Sequence, residues 1–404
     1  MATPLAVDQF SRWMAEKFDE RKIIGVPTVF QSFFGRPEHG SQTRYEENAE
    51  VVEIDIIRGN ERTAALIHRG TNAQHMGDME PKNRAQNYSS FSRQYPLAEE
   101  ESSINAAQIL SRVAGENPYS GRARVDRMRE LAGEYYAEHI RKYVRLFEVL
   151  AAMSLLTGQQ PAIMGTLNAD FIYDFRRNVG NTITPAIAWD QPGADILGDI
   201  DGGCDILRQN GHVTPNVLFL AGTEVNSFIS NPTVQTLADN RRFELINVNS
   251  AVPVPANLAV LVAAGATALG RIVTPRGREL WVMTYNDIFT APNGTPTKYL
   301  PDGWALLAYY GARCDRYFGP PELLPMDPIC MQMYQFYFGF NAMAVPVPPL
   351  VKNASAVISP AMFYNSMLKL NDKVISMKTQ SAPIFATTQT DAFVTFTGLS
   401  TVSS

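Results

Sequence analysis

The sequence predicts an α+β chain of more than one packed unit, and three observations predict it. Between Val51 and Ile57, apolar Val52, Ile54 and Ile56 alternate with Glu53 and Asp55, the two-residue period of a half-buried strand. From Arg122 to Thr157, Val125, Met128, Ala132, Tyr136, His139, Tyr143, Phe147 and Leu150 recur every three or four residues, the period of a helix face. Beyond Pro161, short apolar runs and short helical runs take turns along the chain. With 404 residues, and roughly 150 residues to a domain, two or three units are expected.

Taken in order, Leu5, Phe10, Trp13, Met14 and Phe18 stand at approximately helical spacing, and Gly25 and Pro27 then favour an extended strap. Asp8, Glu16 and Asp19 break the apolar residues of this segment, so it does not read as a signal peptide. Val51–Ile57 is followed by a turn at Gly59 and Asn60 and by a second β-prone run, Arg62 to His68, which together predict a hairpin. Arg69 to Ser103 is polar, poor in β-branched residues and carries Pro81 and Pro96; it predicts a long extended loop. Gly158 and Pro161 end the long helix. At 1.5 Å per residue its some 36 residues span about 54 Å, and Glu138 and Lys142 form an i,i+4 pair in the stabilising order.

Further on, Ala194 to Gln209 reads as helix, Val217 to Ala221 as strand, and Glu224 to Ile229 as a short helix stopped near Asn231 and Pro232. Leu258 to Leu269 is the most apolar run. It is far short of the roughly 20 residues that span a bilayer and reads as buried core. Leu280 to Tyr285 and Trp304 to Tyr310 read as strands around a turn-rich insert, Asn286 to Gly303, and Ala392 to Thr397 as a last strand.

Composition narrows the function classes. Charged residues make up 19% against a norm of about 25%, leaving uncharged surface suited to permanent contacts. Lysine and arginine total 35 against 40 acids, a net −5, which argues against a chain that works by gripping nucleic-acid phosphates. Cys204, Cys314 and Cys330 are widely spaced and form no CxxC pair, so neither a disulfide framework nor a zinc site is indicated.

The candidate chemistry is thin. Asp195, Asp199, Asp201 and Asp205, with Gly198, Gly202 and Gly203 between them, could hold a hard cation, giving a metal-dependent hydrolase as one alternative. The glutamate of an EF-hand loop is missing, however. Helical spacing puts Asp201 and Asp205 on one face and Asp195 and Asp199 on another, so a solvated helix face is the plainer reading. His39, His68, His75, His139 and His212 show no HxH, HxxxH or HExxH spacing and read as packed or surface histidines, although His68 and His75 lie in the extended stretch 49–103 where titration could weaken a neighbour contact. No GxSxG or GxxxxGK[ST] motif occurs, and Gly265 to Gly270 (GATALG) lacks the GxGxxG pattern. Met331 to Phe340 (MQMYQFYFGF) reads as core or interface. Arg58, Glu61 and Arg62 beside Glu53 and Asp55 put both charge signs on the hairpin, and charged edges of this kind discourage uncontrolled strand addition. No catalytic, cofactor-binding or metal residue is assigned.

Five segments in order carry a resemblance: Phe30–Phe34 (FQSFF), Arg44–Gly70 (RYEENAEVVEIDIIRGNERTAALIHRG), Leu150–Gly158 (LAAMSLLTG), Tyr299–Leu307 (YLPDGWALL) and Gln380–Phe385 (QSAPIF). Together with the helix-and-strand block between them, they resemble the phage major capsid protein E family over nearly the whole chain. The resemblance implies a Hong Kong 97 phage-type capsid fold: an N-terminal arm over 1–48, an extended loop over 49–103, a peripheral domain over 104–188 that returns over 351–404, and an axial domain over 189–350. It implies a structural protein without enzymatic activity or cofactor, self-assembling as hexamers and pentamers into an icosahedral shell that encloses double-stranded DNA without reading its sequence.

The partners implied are further copies of the chain, a separate scaffolding protein, since no room is seen for a cleaved scaffolding extension, a portal and, as an open option, a decoration protein. No membrane is involved, and the place is the virion, after assembly in the host cytoplasm. Some relatives of the fold link subunits through a lysine–asparagine isopeptide, for which Lys82 is the available loop lysine; no such crosslink is expected here. An encapsulin-like compartment is the alternative within the same fold.

Overall fold

The computed structural model describes residues 26–45, 51–57, 88–105, 121–161, 172–239, 243–245, 254–291, 294–320, 356–359, 363–371 and 374–401. The expected arm helix, the hairpin strand Arg62–His68, most of the long loop with Lys82, and the aromatic run Met331–Phe340 lie outside them.

The strap enters the core at once. Thr28 N–H bonds to the Ala264 carbonyl at 2.9 Å, and Val29, Phe30, Phe33 and Phe34 are buried. Phe33 meets Tyr310 edge-on at 4.9 Å and Phe30 meets Tyr285 at 5.2 Å, so FQSFF is an aromatic plug. After it come β1 (Thr43–Tyr45), β2 (Val51–Ile57), β3 (Tyr88–Gln94) and β4 (Ala98–Asn105).

The alternation in β2 holds: Val52, Ile54 and Ile56 are buried, with Val51, Glu53 and Asp55 exposed. Its partner among the described residues is β3, antiparallel from Val51 opposite Gln94 to Ile57 opposite Tyr88. The stretch Arg69–Ser103 is therefore not loop throughout, because β3 and most of β4 fall inside it. Their sequences, YSSFSRQ and AEEESSIN, lack strand propensity, and what fixes them is the partner strand alongside.

The long helix forms as expected. α1 (Gly121–Thr157) has 37 residues and stops at Gly158, whose φ of 71° is open to glycine at little cost. Its character changes along its length. Arg141, Lys142 and Arg145 face solvent, whereas every residue from Phe147 to Leu156 except Met153 is buried, so the helix drives end-on into the core.

Beyond it come β5 (Gln159–Pro161), β6 (Ile172–Asp174), β7 (Thr182–Ile183), α2 (Ile196–Ile206), β8 (Val217–Leu220), α3 (Gly222–Ser230), α4 (Pro232–Asp239), β9 (Phe243–Leu245), α5 (Ala256–Ala263), β10 (Thr267–Val273), β11 (Glu279–Thr284), β12 (Ile288–Thr290), β13 (Pro296–Lys298), β14 (Ala305–Ala308), β15 (Asp315–Phe318), β16 (Ala356–Ser359), β17 (Phe363–Asn371), β18 (Val374–Ser381), β19 (Pro383–Ala386) and β20 (Phe393–Phe396).

A mixed seven-stranded sheet, ordered β7-β20-β14-β8-β11-β10-β9, is the centre of the molecule. Its strands β20, β14 and β8 are buried on both faces, which is why β8 (VLFL) and β14 (ALLA) read as unbroken apolar runs. Successive side chains feed different cores. Val217, Phe219, Leu306, Ala308 and Phe393 join the strap and the C-terminal half of α1, while Leu218, Leu220, Ala305, Leu307, Val394 and Phe396 pack with α2.

A second sheet, β16-β17-β18-β4, runs antiparallel, with β4 at its edge. A third core sets the hairpin base: Val52, Ile54 and Ile56 with Tyr173, Phe175 and Ile384.

The apolar run Leu258–Leu269 corrects its expectation. α5 buries Leu258 and Leu261 and leaves Val260 and Val262 40% or more exposed, because a short helix that is apolar all round lays only one side on the core. Among the described residues no helix is long and apolar enough to cross a membrane.

Candidate functional site

Three polar joints tie the strap, the base of the extended loop and the central sheet to α1. The first is Glu148, a charge set inside the apolar stretch LFEVLAAMSLL. It is fully buried, and its carboxylate accepts from the backbone N–H of Phe30 at 2.7 Å and of Gln31 at 3.0 Å, while Gln31 Nε2 donates to the Val144 carbonyl at 2.8 Å. The strap's first turn is thus capped from the helix as a helix N-terminus would be from its own N-cap. Burial pushes the Glu148 carboxyl up to about 7, against the two N–H bonds that favour its charge. Tyr285 and Tyr299 close the pocket, and burial beside this carboxylate drives both phenols upward.

The second joint is one turn of helix that holds β4 and β18. His139 is buried; its Nε2 lies 2.7 Å from Ser102 Oγ on β4 and its Nδ1 2.9 Å from Thr379 Oγ1 on β18. The Tyr143 hydroxyl donates to the Thr379 carbonyl, with the Ala98 carbonyl 3.2 Å away. Lys142 donates to Glu100 at 2.9 Å, so this lysine reaches across to the loop base rather than serving only Glu138 on its own helix. Burial holds His139 below the usual imidazole range. Along the edge, Lys378 bonds Glu99 at 2.8 Å and pairs with Glu101 at 3.4 Å; Lys378 lowers the Glu99 carboxyl, and the Ser376 hydroxyl, then Lys378, lower that of Glu101.

The third joint caps the C-terminus of α1. Arg177 Nη1 donates to the carbonyls of Leu155 and Leu156 at 3.1 and 2.7 Å, and Nη2 donates to Asn181, Phe393 and Thr395. A cation on the last carbonyls complements the helix dipole and ties α1 to β20. Burial lowers this guanidinium to about 10.

The aspartate group takes up separate tasks. Asp195 caps α2 by accepting from Gly198 N–H at 3.0 Å, Asp199 accepts from Trp189 Nε1 at 3.0 Å, and Asp205 pairs with Arg276 and Arg278. Asp201 is buried, so a wholly solvated face, the plainer reading of the sequence, does not describe α2. Among the described residues no three His, Cys, Asp or Glu side chains converge as a metal site would need. Cys204 and Cys314 are free and buried, and Cys330, His68 and His75 lie outside the described residues.

Two further quoted segments are turns held by polar contacts. In YLPDGWALL, Asp302 pairs with Lys298 at 2.6 Å and the Gly303 N–H donates to buried Glu224 at 2.9 Å. In QSAPIF, Gln380 bonds Glu99 on β4 before the chain turns into β19. Glu148 and Arg177 went unremarked in the sequence. The signal for Glu148 was there, as an acid in the most apolar part of a helix; Arg177 gives none, since its partners are backbone carbonyls distant in sequence.

What the arrangement does is mechanical: it fastens the strap, β4 and β18 to one helix. In solved structures, a protein assigned to the capsid of a prophage of E. coli CFT073 matches with a TM-score of 0.58 at 15% identity, covering 98% of this chain and 99% of that one. A phage-related protein of Bordetella bronchiseptica RB50 (TM-score 0.45, 10% identity, 100% of each chain) and the capsid of Ralstonia phage GP4 (0.41, 13%, 94% and 93%) are more distant, and at those scores carry no argument. No curated protein matches the sequence. The first likeness gives the fold, the α+β capsid fold expected from the motifs. The family profile described as phage major capsid protein E matches residues 27–397. The chain therefore belongs to the phage major capsid protein E family, and its work is that of a major capsid subunit, a structural protein of the virion that assembles with copies of itself.

Proposed function

We propose that this subunit forms hexamers and pentamers that close into an icosahedral head around packaged double-stranded DNA. Assembly takes place in the host cytoplasm with a separate scaffolding protein and a portal, and a decoration protein on the finished shell is a further option. In this reading the arm is residues 1–48, the extended loop 49–103, the peripheral domain 104–188 and 351–404, and the axial domain 189–350. The protein performs no catalysis and needs no cofactor.

The observation that supports it best is the joint on α1. A loop base and a strap clamped to one 37-residue helix can bear load from neighbouring copies, and a closed shell sums many modest contacts by symmetry. The net charge of −5 fits a wall that encloses DNA without gripping it.

Negative-stain microscopy of the purified protein, with and without a co-expressed scaffold, tests the reading. Closed shells or rings of five and six are expected, and a lone monomer or dimer in both preparations overturns it. Shells that close without a portal and carry a cargo protein in place of DNA would move the reading to an encapsulin-like compartment.

A further inference from the structure

Two stretches of the chain carry no charge at all, although 19% of its residues are charged. Leu245 to Gly270 runs for 26 residues without Asp, Glu, Lys or Arg, and Asn178 to Trp189 runs for 12. Burial accounts for only part of either one.

Within the first, α5 lays Leu258 and Leu261 on the core and turns Ala256, Ala259, Val260, Val262 and Ala263 outward, with Val260 47% and Val262 40% exposed. A surface helix ordinarily places polar and charged side chains on that side, and apolar surface left there marks a contact. Within the second, Asn181 turns inward, its carbonyl accepting from Arg177 and its Oδ1 from Asn210 at 2.7 Å. Its neighbours face out: Val179 is 89% and Ile187 47% exposed, with Thr182 and Thr184 exposed between them. β7 (Thr182–Ile183) is also an edge of the central sheet, paired among the described residues with β20 alone, and an open edge is where another chain can add.

The placement of the two patches points to what covers them. α5 leads through Gly265 into β10, five strands across the sheet from β7, and at about 4.8 Å per strand this puts about 24 Å between them. The patches therefore stand toward opposite edges of one sheet and do not reach each other within a subunit. A charged partner would find no group to pair with on either, whereas each offers the other an uncharged apolar surface of the same kind. A patch that meets a different patch of the next copy makes a head-to-tail contact, and contacts of that type close into rings, while two-fold pairing would set like against like.

We propose that α5 of one subunit packs against the segment Val179–Ile187 of the next, so that Val260 and Val262 cover the open edge at β7 and the contact repeats head to tail around each ring. This rests on the reading of the chain as a subunit that assembles with its own copies, and names the two surfaces that meet.

The test uses two full-length variants, Val260→Cys and Val179→Cys, both at exposed positions, co-expressed with and without a scaffold. A short thiol-reactive crosslinker is added and linked peptides are identified by mass spectrometry, which sets aside any link through Cys330; Cys204 and Cys314 are buried. The expected product joins position 260 of one chain to position 179 of another and is absent when either variant is expressed alone. Adding Val262→Asp to the first variant, or Thr182→Asp to the second, should lower it at least about tenfold, because each sets an unpaired charge in an apolar contact. Both positions are exposed, so the Tm of the isolated subunit should stay the same. Links from 260 to 260 or from 179 to 179 in a variant expressed alone mean that like meets like and overturn the proposal, as does a 260–179 link that survives both aspartates. Closed shells in the microscope without the 260–179 link overturn it and leave the shell reading standing. The link in assemblies that never close upholds the contact and removes the shell reading, and the lack of both link and shells removes both.

Discussion

The central seven-stranded sheet and the sheet edged by β4 are held by opposite means. In the first, β8, β14 and β20 bury nearly every side chain, on both faces, and the packing partners are helices and aromatic rings. In the second, β4 presents AEEESSIN to β18 and is fastened by Lys378 to Glu99 and Glu101, by Ser376 to Glu101, and by His139 and Tyr143 from α1. The difference teaches where this subunit is fixed and where it is adjustable. Apolar burial on two faces contributes several kcal/mol per large side chain and tolerates no slip in register, whereas exposed ion pairs contribute little each and are screened by salt.

The strongest break of the comparison is in the central sheet. Phe219 is fully buried and touches both Phe30 and Phe33 of the strap. Phe219→Ala is expected to cost about 3–5 kcal/mol in chemical denaturation and to loosen the strap with it. A loss under about 1 kcal/mol would mean that the two faces of this sheet are not the main source of stability.

Glu148 is the exception that sharpens the contrast, a carboxylate placed among the apolar contacts of the first region. Its folded value near 7 stands above the ordinary 4.5, so the folded chain keeps a proton that the unfolded chain has lost. The contribution is fully present below about 4.5 and is lost as pH rises from there through 7. At about 1.4 kcal/mol for each unit of difference, stability should fall by about 3 kcal/mol across that window. Urea midpoints at pH 5 and pH 8 read this directly. Glu148→Gln, neutral at every pH and still able to accept from a strap N–H, should flatten the difference, and an unchanged pH slope in that variant would assign it to another group.

Close packing gives a smaller effect. Gly203 on α2 faces the sheet so closely that a Cβ would stand 2.6 Å from the Phe396 ring and 3.3 Å from Leu307. Gly203→Ala should cost about 1–3 kcal/mol through displacement of α2, measured as a lowered Tm, while Gly202→Ala, whose Cβ meets nothing within 4 Å, should be neutral or mildly stabilising.

The contrast between the regions also explains what was readable in the sequence. Val217–Leu220, Ala305–Ala308 and the helix ending at Thr157 announce themselves, because periodicity and unbroken apolar runs report burial. β3 and β4 do not, because strands made of Ser, Glu and Arg exist only through partners that sequence periodicity cannot locate: the partner of Val51–Ile57 among the described residues is Tyr88–Gln94, while the nearer run Arg62–His68, expected to pair with it, lies outside them. The joints divide likewise. His139 could be placed on the buried face of α1 but not matched to Ser102 and Thr379, and the four aspartates of α2 suggested a cluster by spacing where each turns to its own neighbour. The family motifs located these turns without saying what holds them, since Gly303 and Gln380 are fixed by contacts to Glu224 and Glu99.

The smallest expected effect tests the second region alone. Lys378 is the cation shared by Glu99 and Glu101; it holds Glu99 below the usual carboxylate range, Glu101 is held there first by the Ser376 hydroxyl and then by Lys378, and all three charged side chains are at least one-third exposed. Removing it with Lys378→Ala leaves two acids facing each other on an edge strand, yet solvent screens them, so the loss of folding stability should stay under about 1 kcal/mol and vanish in 1 M salt. Backbone protection at β4 is the more telling readout. Hydrogen exchange there should quicken in Lys378→Ala at low salt while β8 and β14 keep their rates, because the ladder fixes only the edge. If exchange in β8 and β14 rose equally, the two sheets would be one cooperative unit, and the adjustable loop base inferred from its polar fastening would have no separate existence.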